Sequence, residues 1–288
     1  MILITGASGN VGSEVLKQAA AAKLPIRAAF QSEAKAKSAP IGTETVLMDY
    51  TKPETVRAAL KGIEKVFLVG PPTADVAQLE GKFVEEAKRS GIKHLVKLSA
   101  MGGRNAIFPG LHRDSEENIQ ASGIPSTFLQ PNGFMQNFLI YNAGTINAQN
   151  AFYAAQGDGA VSHIDIRDIG AAAVAVLKGS GHEGQSYPLT GPEALTNDQV
   201  AEKLSRATGR NIRYVSLSSE ELKRALLAAG MPEWSVHAVL DLQRFYRGGG
   251  ASRVDPTVER LIGRKATAFE QFARDYASAF QSQASAAS

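Results

Sequence analysis

A glycine-rich turn at the start of the chain constrains the fold more than any other feature. A short apolar run, Ile2 to Ile4, leads into TGASGNVG, and an alanine-rich segment, Ser13 to Ala22, follows. In such a strand-turn-helix unit, the first glycine permits the tight turn, the second lets the backbone approach a pyrophosphate, and the third allows close packing. The helix N-terminus then attracts the phosphate. The pattern predicts a dinucleotide site formed by Gly6, Ala7, Ser8, Gly9, Asn10, Val11 and Gly12.

The alternative is a glycine turn that serves packing alone, and such a turn would not need Gly9. The next apolar run, Ile26 to Phe30, arrives at the spacing expected of a βαβ unit. The sequence context therefore favours the binding site.

Apolar runs alternate with amphipathic segments through the first half of the chain. The runs are continuous rather than alternating, which is typical of parallel strands buried on both faces. Strands spaced by helices indicate parallel βαβ units. We therefore predict an α/β fold, a Rossmann doubly wound parallel sheet with a smaller, mostly helical C-terminal substrate region. The six predicted strands lie in MILIT, IRAAF, TETVLMDY, KVFLVG, HLVKLSA and STFLQP.

The domain organisation follows from where this pattern loosens. We assign residues 1–150 to the dinucleotide-binding Rossmann domain. The segment DIRDIGAAAVAVLKG is predicted as a strand and a buried helix that re-enter the sheet by about residues 160–180. Residues 181–280 form the smaller substrate region, with one helix from near Thr196 to Gly209 and a capping box at Ser218 or Ser219. Residues 281–288 are predicted to be a disordered tail.

Composition excludes several classes of protein. The chain contains no cysteine, so a disulfide framework, a thiolate metal site and a cysteine nucleophile are excluded. No apolar run reaches about 18 residues and no basic leader precedes the first strand, so we expect a cytoplasmic protein without a membrane segment. The net charge is only +3 and the cations are scattered, so nucleic acid is not an expected partner. The histidines show no metal-ligand spacing, and no metal is expected.

The end of the second predicted strand bears on which cofactor binds. An NAD enzyme usually carries an acid there for the ribose 2′-hydroxyl, but this chain has Gln31. Gln31 and Ser32 can donate hydrogen bonds to a 2′-phosphate, and Lys35 or Arg27 can supply charge. NADPH is therefore favoured over NADH as the cofactor. Asp49 can accept a bond from the adenine amino group, or it can only cap the helix that begins near Pro53.

Ligands bind at the carboxyl ends of strands in such sheets. This rule adds two further groups of residues to the predicted cofactor site. They are Val69, Gly70 and Pro71 after the fourth strand, and Pro131 and Asn132 after the sixth.

The chain resembles the NmrA-like group of atypical short-chain dehydrogenase/reductases. The resemblance rests on TGASGNVG, MDYTKPETVRAAL, HLVKLSAMG and IPSTFLQPNGFMQN, and it covers nearly the whole chain. The group contains NAD(P)H-dependent reductases of quinones and triphenylmethane dyes. It also contains a redox-sensing transcriptional regulator that binds dinucleotide without chemistry. The resemblance therefore implies fold and ligand more firmly than activity.

The same resemblance identifies catalytic positions. Extended members of the superfamily carry Tyr-x-x-x-Lys on the helix after the fifth strand. Phe108 stands here where the Tyr is expected and His112 where the Lys is expected. Ser99 matches the family's Ser or Thr, or it only forms a turn. His112 can bond the nicotinamide ribose or act as a weak acid, or it is an ordinary helix histidine.

Phe108 has no proton to donate, so a conjugated acceptor is a better substrate than a simple ketone. The resemblance places Phe134 and Met135, with Phe108, in the substrate pocket, although core packing uses the same residue types. Trp234 and Phe245 also indicate a flat, apolar ligand. We expect hydride transfer from NADPH to a quinone, dye or similar small conjugated substrate, with a homodimer possible. The alternative is a non-catalytic sensor that binds a protein partner; the missing Tyr and Lys argue against a sugar-nucleotide epimerase.

Overall fold

The computed structural model describes residues 1–281 and contains a seven-stranded parallel sheet with helices on both faces. The strands are β1 (Ile2–Ile4), β2 (Ile26–Phe30), β3 (Glu44–Leu47), β4 (Lys65–Leu68), β5 (His94–Leu98), β6 (Ser126–Pro131) and β8 (Ser186–Leu189). Their order is β3-β2-β1-β4-β5-β6-β8, and every neighbouring pair is parallel. All six predicted strands of the first half are present, and the predicted Rossmann class is confirmed.

Helices cover the sheet on both faces. They are α1 (Asn10–Ala21), α2 (Glu33–Ala36), α3 (Pro53–Leu60), α4 (Val76–Arg89), α5 (Ile107–Ser122) and α7 (Ile166–Lys178). Alternate residues of β1 point to opposite sides: Ile2 and Ile4 pack in the core under α1 and α7, and Leu3 packs in the core under α3, α4 and α5. Burial on both faces explains why the strands are continuous apolar runs.

The chain re-enters the main sheet at β8, later than the predicted 160–180. The predicted buried helix is present as α7, residues 166–178, and it begins where Asp165 accepts a hydrogen bond from the Arg167 N–H at 2.8 Å; the strand predicted before it is absent from the main sheet. The segment before α7 makes only isolated bridges, between Phe134 and Ile164 and between Val161 and Leu195. This segment pairs with its neighbours at single residues only, so it adds no strand to the sheet. The strand next to β6 is β8.

The C-terminal region is mostly helical and has its own aromatic core. A small parallel sheet joins β7 (Ala151–Ala154) to β9 (Arg213–Ser216). The remaining elements are a π-helix (Phe138–Asn142), α6 (Ala143–Gln149), α8 (Asn197–Thr208), α9 (Ser219–Ala228), α10 (Glu233–Arg247), α11 (Thr257–Ile262), α12 (Phe269–Asp275) and a 3-10 turn (Ala277–Phe280).

Two predicted helix boundaries in this region are confirmed. Thr196 caps α8 and Gly209 ends it, and the capping box before α9 uses Ser218 with Glu221. Apart from Gln281, the predicted tail lies outside the described residues. No helix within residues 1–281 has the length and apolar character needed to cross a membrane.

Candidate active site

The glycine turn lies at the carboxyl edge of the sheet, where the strand order reverses between β1 and β4. Gly6 has a φ of +59°, which favours glycine. A Cβ on Gly12 would lie 2.1 Å from the Gly6 carbonyl oxygen, so the turn itself requires glycine there. A Cβ on Gly9 would come no closer than 3.3 Å to that oxygen. Packing alone therefore demands Gly6 and Gly12 far more strictly than Gly9.

The N-terminus of α1 is open to a ligand. Its N-cap is Gly9, which offers no side chain to the first backbone N–H groups, and the first turn contains no acidic residue. Free N–H groups and the helix dipole both favour an anion at this point. The residues present therefore fit the pyrophosphate of a dinucleotide.

The loop after β4 lies directly beside the glycine turn. Thr5 Oγ1 accepts a hydrogen bond from the Val69 N–H at 2.7 Å, and a Cβ on Gly6 would lie 3.0 Å from Val69 Cβ. The next N–H, that of Gly70, donates to Glu80 Oε1 at 2.9 Å. These bonds bring the predicted segment from Val69 to Pro71 to the same edge as the turn.

Gln31 and Lys35 lie together after β2, with Lys35 Nζ 3.4 Å from Gln31 Oε1. Ser32 caps α2 by accepting the Lys35 N–H at 3.4 Å. Arg27, by contrast, lies at the start of β2 and cannot supply charge to a 2′-phosphate. Its guanidinium bonds Glu44 at 2.7 Å and the Lys61 carbonyl at 2.7 Å. Of the two proposed cations, only Lys35 lies at the carboxyl edge.

Asp49 follows β3 and is bound to the turn that follows it. Its Oδ1 accepts the Thr51 N–H at 2.9 Å and the Thr51 hydroxyl at 2.7 Å. These hydrogen bonds lower the pKa of Asp49. Asp49 does not cap α3, whose N-cap is Lys52 without a side-chain bond. The capping alternative was therefore wrong, and the adenine contact stays a prediction.

Ser99 is buried at the end of β5 and belongs to a polar network. Its hydroxyl donates to Glu116 Oε1 at 2.5 Å and accepts from Arg113 Nη2 at 2.9 Å. Glu116 also pairs with Arg113 and accepts from Gln130 at 3.1 Å. Because the Ser99 proton is directed at a carboxylate, the hydroxyl is free to accept a further hydrogen bond but not to donate one.

His112 is half-buried on α5, close to the same network. Burial, together with the positive charges of Lys97 and Arg113, holds its pKa well below the ordinary value of 6.5. The imidazole is therefore neutral at neutral pH, which argues against the predicted role of His112 as a weak acid. Its Nδ1 is buried and has no hydrogen-bond partner among residues 1–281. A neutral ring at this place is suited to bonding a ribose hydroxyl.

The predicted pocket residues fall into two groups. Phe108 and Phe134 are half-buried, and the Phe108 ring meets Trp234 edge-on at 6.3 Å. Met135 is only 1% exposed and packs in the C-terminal aromatic core. The core-packing alternative therefore accounts for Met135 in this structure, and its place in the pocket stays a prediction.

Asn132 follows β6 and is almost fully buried, as is Pro131. Its amide nitrogen donates to Ser162 Oγ and to the Ala251 carbonyl, both at 2.8 Å, and its oxygen accepts the Gly133 N–H at 2.9 Å. Both amide N–H groups of Asn132 are therefore used within the chain. The side chain ties the end of β6 to the C-terminal region. The place of Asn132 in the cofactor site stays a prediction.

Several polar residues of this region were missed from the sequence. Lys97 was detectable, because a lysine within the apolar run HLVKL cannot reach solvent from a strand covered on both faces. For Arg113 the only signal in the sequence was its position next to His112. His163 and Tyr246 had none, since only the fold brings them to Gly133.

Comparisons with known proteins agree with this geometry. Residues 1–276 match the NmrA-like family. The chain is 40% identical over 284 residues to NAD(P)H azoreductase of Xenophilus azovorans, covering 97% of this chain and 99% of that one. The structure of NADPH-dependent quinone oxidoreductase from Escherichia coli with NADPH has a TM-score of 0.88 at 28% identity, with coverage of 96% and 99%. Citrobacter sp. triphenylmethane reductase with NADP(H) gives 0.86 at 27%, with coverage of 96% and 100%.

Proposed function

The chain belongs to the NmrA-like family, and from this premise we propose that it is an NADPH-dependent oxidoreductase that reduces a quinone, a dye or a similar conjugated acceptor. Relatives of similar length are an NAD(P)H azoreductase, an NADPH-dependent quinone oxidoreductase and a triphenylmethane reductase that binds NADP(H). The acceptor class and the cofactor preference are the specific parts of the proposal.

One observation carries the cofactor assignment: α1 presents uncapped N–H groups beside Gly9, at the point where the strand order reverses. The backbone from Gly6 to Gly12 would hold the pyrophosphate, and the loop from Val69 to Pro71 would flank it. Gln31, Ser32 and Lys35 would hold the 2′-phosphate, because the Gln31 amide lies beside the Lys35 ammonium group and the Ser32 hydroxyl caps the same turn. An ammonium group there favours NADPH over NADH.

The proposed acceptor class follows from the side chains at the end of β5 and on α5, where the nicotinamide would lie. Ser99 directs its proton at Glu116, His112 is neutral, and Phe108 has no hydroxyl. None of these three side chains is a strong acid for a developing alkoxide. NADPH, when bound, supplies a hydride, and a quinone that takes it together with one proton from solvent becomes a hydroquinone. Such an acceptor spreads the arriving charge and needs little help from a positioned acid.

The chain's own residues would orient and shield the reactants. Ser99 would accept a hydrogen bond from the cofactor, and His112 would bond its ribose. Arg113 and Glu116 hold Ser99 in place through the network at the end of β5. The rings of Phe108 and Phe134 would cover a flat acceptor.

The test is anaerobic mixing of the purified protein with NADPH and a panel of quinones, azo dyes and triphenylmethane dyes. Absorbance of the reduced nicotinamide is followed at matched acceptor concentrations. We expect oxidation above the uncatalysed rate with at least one conjugated acceptor, and a lower KM for NADPH than for NADH. The matched control is Gly9→Asp, which should remove the enzymatic rate. Tight NADPH binding without turnover of any acceptor would instead favour the non-catalytic regulator.

A further inference from the structure

His163 is a buried imidazole whose ring nitrogens make no hydrogen bond of normal geometry among residues 1–281. The residue is only 7% exposed, and its one near neighbour on the backbone, Gly133, lies outside normal hydrogen-bond geometry with either ring nitrogen. Buried polar groups in proteins are nearly always paired, because an unpaired one loses its hydration without compensation. A ligand that reaches the ring would supply the hydrogen bond that His163 lacks.

The ring lies at the ligand-binding edge of the sheet. Gly133 follows β6 by two residues, and a Cβ placed on it would meet His163 Nδ1 at 3.1 Å and Tyr246 Oη at 3.0 Å. The Gly133 carbonyl accepts the Ile164 N–H at 2.9 Å, which fixes His163 beside it. An imidazole from the segment before α7 and a phenol from α10 thus converge next to the residue that precedes Phe134.

The surroundings of this pair are aromatic. The Phe138 ring stands edge-on to the imidazole at 5.3 Å, and the Phe269 ring lies 6.2 Å from it. A polar pair within apolar walls is the usual composition of a small-molecule pocket. Resting on the proposed function, we propose that His163 and Tyr246 form the polar end of the acceptor pocket and hydrogen-bond a carbonyl oxygen of a quinone.

The protonation states suit recognition of a neutral oxygen. Burial lowers the pKa of His163 to about 4, and the Gly133 backbone offsets only part of this effect. Burial also raises the pKa of Tyr246. Near neutral pH the pair is therefore an uncharged imidazole and an uncharged phenol, which can donate to a carbonyl oxygen without attracting a cation. The inferred substrate class is a quinone or other conjugated carbonyl compound, in preference to a cationic dye without oxygen.

Helix α10 carries Tyr246, one of the groups that cover the place beside His163. The His163 nitrogens are shielded from solvent, and Tyr246 is one of the groups that cover Gly133. Helix α10 is followed by three consecutive glycines, Gly248 to Gly250, and Gly230 precedes it with a φ of +78°. A helix bounded by glycines can shift as a unit. An entering acceptor oxygen would take the place beside His163 as α10 moves aside.

The experiment compares His163→Phe and Tyr246→Phe with wild type, using menadione and a triphenylmethane dye that lacks oxygen. Both replacements keep an aromatic ring and remove the hydrogen-bonding group. We expect KM for menadione to rise about tenfold in each, which corresponds to one lost hydrogen bond. KM for the dye and the Kd for NADPH should stay within about twofold. The matched control is His237→Phe on the exposed face of α10, which should change none of these values.

Binding without turnover separates this inference from the proposed function. Calorimetric titration of menadione into the NADP⁺-loaded protein measures acceptor affinity whether or not hydride is transferred. Weaker menadione binding in both variants supports the inference even if wild type is inactive. Equal menadione affinity in wild type and variants, equal losses for menadione and dye, or no binding to wild type would each overturn it. If His163→Phe does not fold, Tyr246→Phe alone decides by the same criteria.

Discussion

Lys97 and Glu80 form an ion pair with no access to solvent. Lys97 Nζ lies 2.7 Å from Glu80 Oε2 and 2.8 Å from Oε1, and the two side chains are 0% and 1% exposed. Glu80 also accepts from Ser115 and from the Gly70 N–H, so the pair ties β5 and α5 to the loop after β4. The geometry of that loop beside the glycine turn therefore depends on a buried charge.

Removing one partner of this pair should destabilise the protein strongly. We expect Lys97→Met to lower the free energy of unfolding by about 3–5 kcal/mol, because Glu80 is left buried and unpaired. The double variant Lys97→Met with Glu80→Leu should recover much of this loss. Lys93→Met removes an exposed pair with Glu64 and should cost less than about 1 kcal/mol. Urea unfolding followed by circular dichroism measures all three, and equal losses at the two lysines would contradict the prediction.

The glycines of the turn should separate stability from cofactor binding. Gly9 has an ordinary extended backbone (φ −86°, ψ 170°), so Gly9→Asp should fold yet bind NADPH about 100-fold more weakly through repulsion of the pyrophosphate. Gly12→Ala places a Cβ 2.1 Å from the Gly6 carbonyl and should cost about 3 kcal/mol or more of stability. Calorimetry with NADPH and thermal unfolding distinguish the two effects. Unchanged NADPH affinity in Gly9→Asp would remove the site from this turn.

Lys35 should set the preference for NADPH. We expect Lys35→Ala to weaken NADPH binding about three- to tenfold and to leave NADH binding unchanged, because only NADPH carries the 2′-phosphate. Gln31→Asp should weaken NADPH binding further by charge repulsion. Lys37→Ala, which removes an exposed cation just after α2, is the matched control. Fluorescence titrations with both cofactors give the ratio of Kd values, and an unchanged ratio in Lys35→Ala would contradict the assignment.

His163 should make the fold sensitive to acid. Its pKa is about 4 in the folded protein and 6.5 for an unperturbed histidine, so the unfolded state binds more protons between these values. Stability should therefore fall as pH drops from 6.5 to 4, by about 3 kcal/mol from this residue. His163→Phe should remove that share of the loss. Unfolding free energies of both proteins at several pH values provide the measurement, and parallel curves would show that His163 is not protonated on unfolding.

His112 should act without giving up a proton. Because its pKa lies well below the ordinary 6.5, the imidazolium form is scarce at neutral pH and above, and the hydride step should be independent of pH from about 7 to 9. His112→Ala should slow this step or weaken NADPH binding by the same factor at every pH. Single-turnover NADPH oxidation in a stopped-flow instrument tests this. A rate that falls with rising pH in wild type, but not in His112→Ala, would restore the acid role.

Local signals in the sequence were sufficient for the framework of this protein. The glycine turn, the six strands of the first half and the ends of α8 at Thr196 and Gly209 all depend on residues within a few positions of one another. Backbone conformation, burial of continuous strands and helix capping are decided at that range. Fold class could therefore be predicted, and the glycine turn lies at the carboxyl edge of the sheet, where the dinucleotide site is proposed.

Tertiary structure alone decided which side chains remain available for chemistry. Arg27 is bound at the far end of β2, Asn132 bonds Ala251 across 119 positions, and Met135 is turned into the core. The neutral state of His112 likewise depends on burial and on nearby cations. Hydrogen bonds and desolvation depend on the distances between groups that packing brings together. These distances cannot be obtained from the order of neighbouring residues in the sequence.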